Sequence, residues 1–522
     1  MARARTGRRQ KAAPLNPTIT PDAFAQAEPV LPRPAFSFLS ENDLEQIKSR
    51  AFDLLEQHGI AVVHEEANAA MRKAGAVPGS DNSRLRLPRE LVEEALHAAP
   101  RETVLCGKRP DRDVHLPRKD HGFIMRTGTG AHGFVDPKNN TYGNLTLDHV
   151  PKIAAVANGL DQVGFIAHPF CYGVHELTSD IHGVASMITH TDKHIWLQPY
   201  NVENVEYLMR IVTVAAGGET QLKQRPIASC IMCSFTPLEF KVMDVEALIQ
   251  AGKAGLPVHA CSLPSAGGTA PITVAGMVLM AVSEILAMIT LAHVLVPGTT
   301  VIGTPLMFTL DMATGRALHS CVESLQAKAM AIEVLKRGFG LLAHTYGAGS
   351  DTPDVDGQSM AERAMLGQLV SLSGADILGG VGQLECATVF SPVQAVLDNE
   401  LGAMYRGMIQ SPPIDDENFN WQEISKIGIG AHFLDSPHTL KYCRSQHMPD
   451  TFKRTGRDDY EAENRAGAFE AARDKVLELF EAEPPEGLPD EDQVKEIARI
   501  VARADEHIIG KAQGHAGKRE VI

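Results

Sequence analysis

The first 35 residues carry polar side chains and prolines with no apolar period, and they are read as an extended or disordered arm. From Ser40 the pattern changes. Leu44, Ile47, Ala51, Leu54 and Leu55 recur at helical spacing, and Gly59 stands where a helix C-terminus is capped. Two further helical runs at 65–73 and 88–98, with short strand patterns at 103–106 and 113–116, complete an N-terminal α+β cap over 36–120.

From residue 121 short apolar runs ending in Gly, Pro or His alternate with longer helical runs. Strands are expected at 123–127, 163–167, 195–199, 227–231, 258–261, 300–303, 341–344 and 377–379. Helices are expected near 147–157, 179–189, 202–215, 242–251, 274–295, 320–337 and 361–371. Spacings of roughly 30–45 residues suit βα units. Eight such strands predict an α/β fold, a (β/α)8 TIM barrel over 121–398. Two alternatives remain open. The first strand could instead pair with 133–135 as a hairpin, and an open doubly wound sheet has the same alternation. No Gly-x-Gly-x-x-Gly follows an early strand, which weighs against the open sheet. A C-terminal helical extension over 399–522 contains amphipathic runs at 461–483 and 490–507 around a Pro-rich break, suited to clasping the barrel or to an oligomer contact.

The most apolar stretch, 269–296, is long enough to span a membrane. Thr273, Ser283, Glu284, Thr290 and His293 would be costly in lipid, so a buried barrel helix and no membrane partner are expected. The 522 residues are 44% hydrophobic and 22% charged, as in soluble globular proteins. A net charge of −15 argues against nucleic acid as a partner. The basic tail 1–11 lacks an apolar core and a cleavage pattern, so it is read as a solvated arm and not a secretory signal. Eight cysteines without regular spacing point to reduced thiols and a cytoplasmic location.

In a barrel the chemistry sits at the C-terminal ends of the strands. Those positions hold Arg126, His168, Phe170, Tyr172, Gln198, Tyr200, Cys233, Ser262, Thr304, Phe308, His344, Tyr346, Gln383 and Glu385. The set is rich in aromatics although the chain is only 5% aromatic, and it is poor in carboxylates. A paired-carboxylate mechanism is therefore weakly supported. Asp351, Asp354 and Asp356 follow the seventh strand, but Asp and Pro are also what a turn-rich loop needs. Cys230-x-x-Cys233 lacks a second pair and faces both sides of a strand, and His190-x-x-x-His194 straddles a helix end and a strand start, so no metal site is assigned. No Gly-x-Ser-x-Gly elbow is present. The glycines at 347–349 and 379–380 either approach a ligand or end strands. His168 and His344, on one barrel face with Arg126 and aromatics, read as a binding site.

Residues 267–276 (GGTAPITVAG), leading into a long apolar helix and then Val296-Pro297-Gly298, resemble the signature of the trimethylamine methyltransferase family. The likeness continues in 51–78 (around LLEQHGIAV), 350–362 (SDTPDVDGQSMAE), 375–382 (ADILGGVG) and 394–404 (QAVLDNELGAM). Ser283-Glu284, His293 and the loop 345–358 depart from the family's commoner residues, which puts the substrate's identity in question. The resemblance implies a (β/α)8 barrel and methyl transfer to cobalamin carried by a partner corrinoid protein, with no cofactor permanently bound. One branch of the family carries pyrrolysine and uses trimethylamine. This chain has standard residues only and resembles the other branch, which demethylates glycine betaine-like quaternary amines.

On that reading Phe170, Tyr172, Tyr200, Phe308 and Tyr346 would hold a trimethylammonium group by cation–π contact. Arg126 or His344 would fix a substrate carboxylate, with Gln198 and His168 beside them. His344, Asp356 and Glu385 are the candidate catalytic residues, and a homo-oligomer is expected. Two other functions stay in view. A lyase or aldolase barrel would need a lysine at a strand end, and none of the eight strands ends in one. A non-catalytic quaternary-amine binder would need the same aromatic cage.

Overall fold

The computed structural model describes residues 36–512 apart from Ser80 and Asn82. The expected N-terminal arm lies outside the described residues. Eight parallel strands form the centre: β1 (Ile124–Thr127), β2 (Val163–Ala167), β3 (His194–Leu197), β4 (Ala228–Cys233), β5 (Val258–Ser262), β6 (Val301–Pro305), β7 (His344–Tyr346) and β8 (Ile377–Val381). They neighbour one another in chain order, and β8 pairs with β1. The ring closes between β6 and β7, where the Gly303 amide donates to the Leu342 carbonyl at 2.9 Å. Seven of the eight strands stand where the apolar runs place them, because a strand buried on both faces reads as a short unbroken apolar segment; the seventh, expected at 341–344, begins only at His344 and runs to Tyr346. The hairpin alternative fails: Gly133–Val135 pairs with Tyr142–Asn144 and with Val389–Phe390, not with β1.

The surrounding helices are α1 (Val150–Asn158), α2 (Ser179–Ile188), α3 (Val202–Ala215), α4 (Val242–Lys253), α5 (Val274–Leu295), α6 (Val322–Glu333), α7 (Gly357–Leu372) and α8 (Pro392–Met408). The barrel needs a helix after its last strand, so α8 runs through the boundary expected at 398. Helix α5 is apolar all round because it is covered on both sides. Its inner face packs on β5 and β6, and its outer face packs on the cap helices Glu41–Gln57, Glu65–Lys73 and Arg89–Ala98. The fully buried Glu284 on α5 has no cation paired to it among the described residues. Its carboxylate accepts from Ser234 Oγ and Ser262 Oγ at 2.5 Å, Thr236 Oγ1 at 3.0 Å and the Leu238 amide at 2.8 Å. Four donors replace lost hydration and tie the ends of β4 and β5 together.

The two ends of the barrel differ. The hairpin Thr103–Leu105/Val114–Leu116 plugs the N-terminal end: the Cys106 amide bonds the Pro226 carbonyl before β4, and the Lys108 amide bonds the Asp192 carbonyl before β3. At the C-terminal end two small sheets rim the mouth. One joins Gly133–Val135, Tyr142–Asn144, Gln383–Leu384 and Val389–Phe390; the other joins Ser265–Ala266, Phe308–Leu310 and Ala317–Leu318. The helix Ala468–Phe480 packs on α8 and α1, and Glu491–Ala504 packs on α3 and α2, so the C-terminal extension clasps the outside of the barrel.

Candidate active site

The floor of the mouth is built by inward side chains of β1, β3, β5 and β7. Arg126 is fully buried, with its guanidinium 3.8 Å from the centre of the Trp196 ring. Nε donates to His344 Nε2 at 2.9 Å and Nη1 to the Thr127 carbonyl at 2.7 Å, while Nη2 meets no acceptor at hydrogen-bonding geometry. Gly379 makes this seat possible, since a Cβ there would lie 2.8 Å from the Arg126 guanidinium carbon. An arginine only donates, so His344 Nε2 is the acceptor and its proton sits on Nδ1. That proton points to His259 Nδ1 at 3.3 Å, and His259 Nε2 in turn donates to Ser229 Oγ at 3.0 Å. Burial first, then the Arg126 charge, holds both imidazoles well below the usual histidine range, so they are neutral. Burial also lowers Arg126, to about 10.

Above this floor Tyr346 separates two cations. Its ring centre is 5.8 Å from the Arg126 guanidinium and 5.9 Å from the Lys328 ammonium on α6. Phe308 lies 6.1 Å and His319 5.2 Å from the same ring. Lys328 is fully buried and donates to the His319 carbonyl; burial brings its pKa down to about 8, opposed by the Asp351 charge. The opposite wall, across β2 and β3, holds a second aromatic group. Phe170 stacks on Tyr200 at 5.6 Å and meets Tyr172 edge-on at 5.7 Å, and His168 lies 5.7 Å from Tyr200. Burial drops His168 to about 4, and its Nε2 sits 3.2 Å from the Gln198 backbone. Gln198 Oε1 accepts from Thr129 Oγ1 at 2.6 Å. Tyr200 Oη and Gln383 Oε1 are buried without a hydrogen-bond partner.

The five aromatics expected in one cage therefore form two facing walls, with Arg126 and His344 in the floor between them. The acids lie elsewhere. Asp356 is exposed and caps α7, accepting from the Ser359 amide at 2.8 Å. Glu385 is exposed at the rim, where Glu385, Cys386 and Ala387 are three consecutive left-handed residues with φ of 48, 51 and 72°. Such strain in a row persists only where the surroundings enforce it. Here the Glu385 and Cys386 amides bond the Thr352 and Ser350 carbonyls of the neighbouring loop.

Sequence reading missed Trp196, His259, His319 and Lys328. Trp196 and His259 lie inside strands, His319 follows a small sheet, and Lys328 sits on a helix. One signal was legible: Lys328 falls between Leu325 and Ile332 on the apolar stripe of α6. A groove of about 580 Å³ on the outer flank, between α3, α4 and Glu491–Ala504, is edged by the exposed Arg210, Lys223, Lys253 and Arg503 and lies away from these buried groups.

The trimethylamine methyltransferase (MTTB) family model matches residues 3–508. The trimethylamine methyltransferase MttB1 of Methanosarcina acetivorans is 29% identical over 482 residues, 91% of this chain and 96% of that one. MttB of Desulfitobacterium hafniense is 26% identical over 452 residues, 86% and 90% of the two chains. The glycine betaine methyltransferase of Desulfitobacterium hafniense is 26% identical over 481 residues, 91% and 98%. Among solved structures, the monomethylamine methyltransferase of Methanosarcina barkeri shares the fold with a TM-score of 0.52 at 12% identity, over 85% of this chain and 89% of that one. The chain belongs to the trimethylamine methyltransferase family and is a methyltransferase.

Proposed function

We propose that this enzyme transfers a methyl group from a quaternary amine of the glycine betaine type to the Co(I) of a separate corrinoid protein. The observation that carries the reading is the pair of aromatic walls, Phe170–Tyr172–Tyr200 and Phe308–Tyr346, facing one another over a floor of neutral histidines. A trimethylammonium group is poorly hydrated and is held by aromatic faces. When one methyl carbon is attacked, the C–N bond breaks and its electron pair stays on nitrogen. The amine leaves neutral, so no proton need be delivered to it. The buried acid beside Tyr200, Asp180, accepts from the Tyr200 and Ile181 amides at 2.9 Å and from Asn204 Nδ2 at 2.6 Å, so it serves as a structural acceptor, and the neutral leaving amine needs no proton from it.

The corrinoid is the methyl acceptor and supplies the nucleophile. The chain's own residues then bind, desolvate and aim one methyl group. The aromatic walls hold the ammonium, with His168 and Gln198 fixing Tyr200 and the β2–β3 wall. Arg126 sets the polar floor, and His344 positions Arg126. Asp356 and Glu385 shape the rim loops between which a partner would approach. The stretch after α8 exposes Ile414, Trp421, Ile429, Leu434, Leu440 and Met448, and we read this apolar face as a contact with a second copy of the chain. All eight cysteines are unpaired, which supports a reducing, cytoplasmic setting.

The test is incubation with glycine betaine, a corrinoid protein and reduced cobalamin. Betaine-dependent spectral conversion of Co(I) to methyl-Co(III) is expected. Tight binding of betaine with no conversion would instead favour the non-catalytic binder and sink the transfer reading.

A further inference from the structure

Lys328 and His319 lie in the mouth but have no role in holding a trimethylammonium group. Lys328 is fully buried and forms no ion pair among the described residues. Asp351, the acid whose charge reaches it, already accepts from the amides of His319 and Ser320 at 2.9 Å each. His319 is 1% exposed, and neither ring nitrogen has a hydrogen-bond partner among the described residues. Its ring lies 5.2 Å from Tyr346 and 6.4 Å from Phe308, on the wall assigned to the ammonium. Room for it comes from Gly349, whose φ is +125° and whose missing Cβ would sit 2.5 Å from His319 Cε1.

The charge balance of this wall is informative. A site for a simple cation would place a carboxylate where Lys328 stands, because an ammonium repels the ligand. With Arg126 on the far side of Tyr346, the mouth instead carries two buried cations, neither of them in an ion pair among the described residues. A ligand that brings both a trimethylammonium group and an anion satisfies the aromatic faces and the cations together. The sequence pointed to Arg126 or His344 for the anion. Arg126, however, has Nε and Nη1 engaged and its face covered by Trp196, which leaves only Nη2, and both His344 nitrogens are directed to Arg126 and His259. Lys328 spends one of its three donors on the His319 carbonyl and keeps two, and both His319 ring nitrogens are without a partner among the described residues.

Resting on the quaternary-amine reading above, we propose that Lys328 and His319 form the subsite that takes the carboxylate of the substrate, so that the enzyme selects trimethylammonium carboxylates over quaternary amines without an anionic end. The ammonium of Lys328 pairs with the carboxylate, and one His319 N–H donates to it. No bond is made or broken there, so both are specificity residues and not catalytic ones.

The experiment is calorimetric binding of four probes to the full chain. These are glycine betaine, the longer 4-trimethylammoniobutyrate, choline, and 3,3-dimethylbutyrate, the carbon isostere of glycine betaine that keeps only the carboxylate. The wild type is expected to bind the better of the two betaines at least tenfold more tightly than choline. Lys328→Met should weaken that betaine tenfold or more and leave choline unchanged or tighter, and His319→Gln should keep part of the preference. Equal weakening of betaine and choline, or no weakening of betaine, overturns the subsite. If Lys328→Met does not fold, the wild-type preference decides alone, and choline bound as tightly as either betaine overturns the proposal. The two readings fail separately. Lys328-dependent binding of 3,3-dimethylbutyrate, with no quaternary amine demethylated in the cobalamin assay, keeps the anion subsite and removes the methyl-transfer reading. Demethylation of choline and betaine with equal kcat/KM does the reverse.

Discussion

Arg126 lies with its guanidinium 3.8 Å from the centre of the Trp196 ring, inside a closed barrel, with no carboxylate paired to it among the described residues. A π-face and two hydrogen bonds recover only part of a buried cation's lost hydration. The penalty for burying an ion without a paired charge is several kcal/mol, more than the roughly 1–3 kcal/mol lost when an apolar replacement orphans the His344 Nε2 and Thr127 carbonyl acceptors. Arg126→Met should therefore melt at or above the wild-type temperature while losing at least about tenfold in kcat/KM, a change of about 1.4 kcal/mol. Thermal melting and the cobalamin assay, run on the same preparation, check this. A variant that melts far below wild type would show that Arg126 is a structural keystone and not a feature retained for the site.

His344→Ala separates positioning from packing. It removes the acceptor of Arg126 Nε and the donor to His259 and leaves buried polar atoms unmatched. A stability loss of about 1–3 kcal/mol is expected for an orphaned buried group, with more from the cavity. Turnover should be abolished while far-ultraviolet circular dichroism stays that of the wild type. His344→Gln can still accept from Arg126 and should recover part of the activity. Normal demethylation by His344→Ala would remove His344 from the site.

The barrel was legible because its signal is local and repeated. Each strand is a short apolar run, each helix has an apolar stripe, and eight units leave little room for another topology. The strand-end rule found Arg126, His168, Phe170, Tyr200, Phe308, His344 and Tyr346, all of which the fold brings to one end. It failed where a side chain reaches the mouth from elsewhere. Lys328 enters from a helix, and His319 follows the short strand Ala317–Leu318, so no strand-end periodicity marks either. Nor did the sequence distinguish one cage from two walls, because separation across a barrel depends on which strands carry the rings. Asp356 shows the opposite error: a residue type suited to acid–base chemistry is placed by the requirement of α7 for an N-cap.

Gly349→Ala tests the seat of His319 without touching either anion-binding group. An added Cβ would lie 2.5 Å from His319 Cε1, and the φ of +125° is unfavourable for any side chain. Backbone strain of this kind costs roughly 1–3 kcal/mol, which in a chain of this size lowers the melting temperature by about 1–3 degrees. The displaced imidazole should reduce the preference for betaine over choline more than it reduces choline binding. A variant with a wild-type preference would mean that His319 can shift without consequence for the ligand.

The pH dependence of binding isolates Lys328. Burial lowers its pKa from 10.5 to about 8. Lys108 and Lys193, buried near the closed end of the barrel, fall to about 7 for the same reason. In each case the folded state releases its proton at lower pH than the unfolded chain. From about pH 7 for Lys108 and Lys193, and from about 8 for Lys328, up to 10.5 the unfolded chain binds more protons, so stability contributed by these groups rises with pH across that window and is flat below about 7. Binding must show the opposite sign, because only the charged form of Lys328 pairs with a carboxylate. Of the groups facing it, burial lifts Tyr346 and the Cys386 thiol to about 12 and keeps His319 neutral, so they hold their protonation state across pH 7–10, and Asp351 is already engaged by two amides; the Cys321 thiol also acts on Lys328, so the profile is measured in Cys321→Ser as well. The dissociation constant of a betaine should be level up to about pH 8 and then rise by about tenfold per pH unit, while that of choline stays flat or falls. Lys328→Met should flatten the betaine profile at the weaker value. A betaine affinity that stays constant to pH 9.5 in the wild type would show that a carboxylate does not meet Lys328.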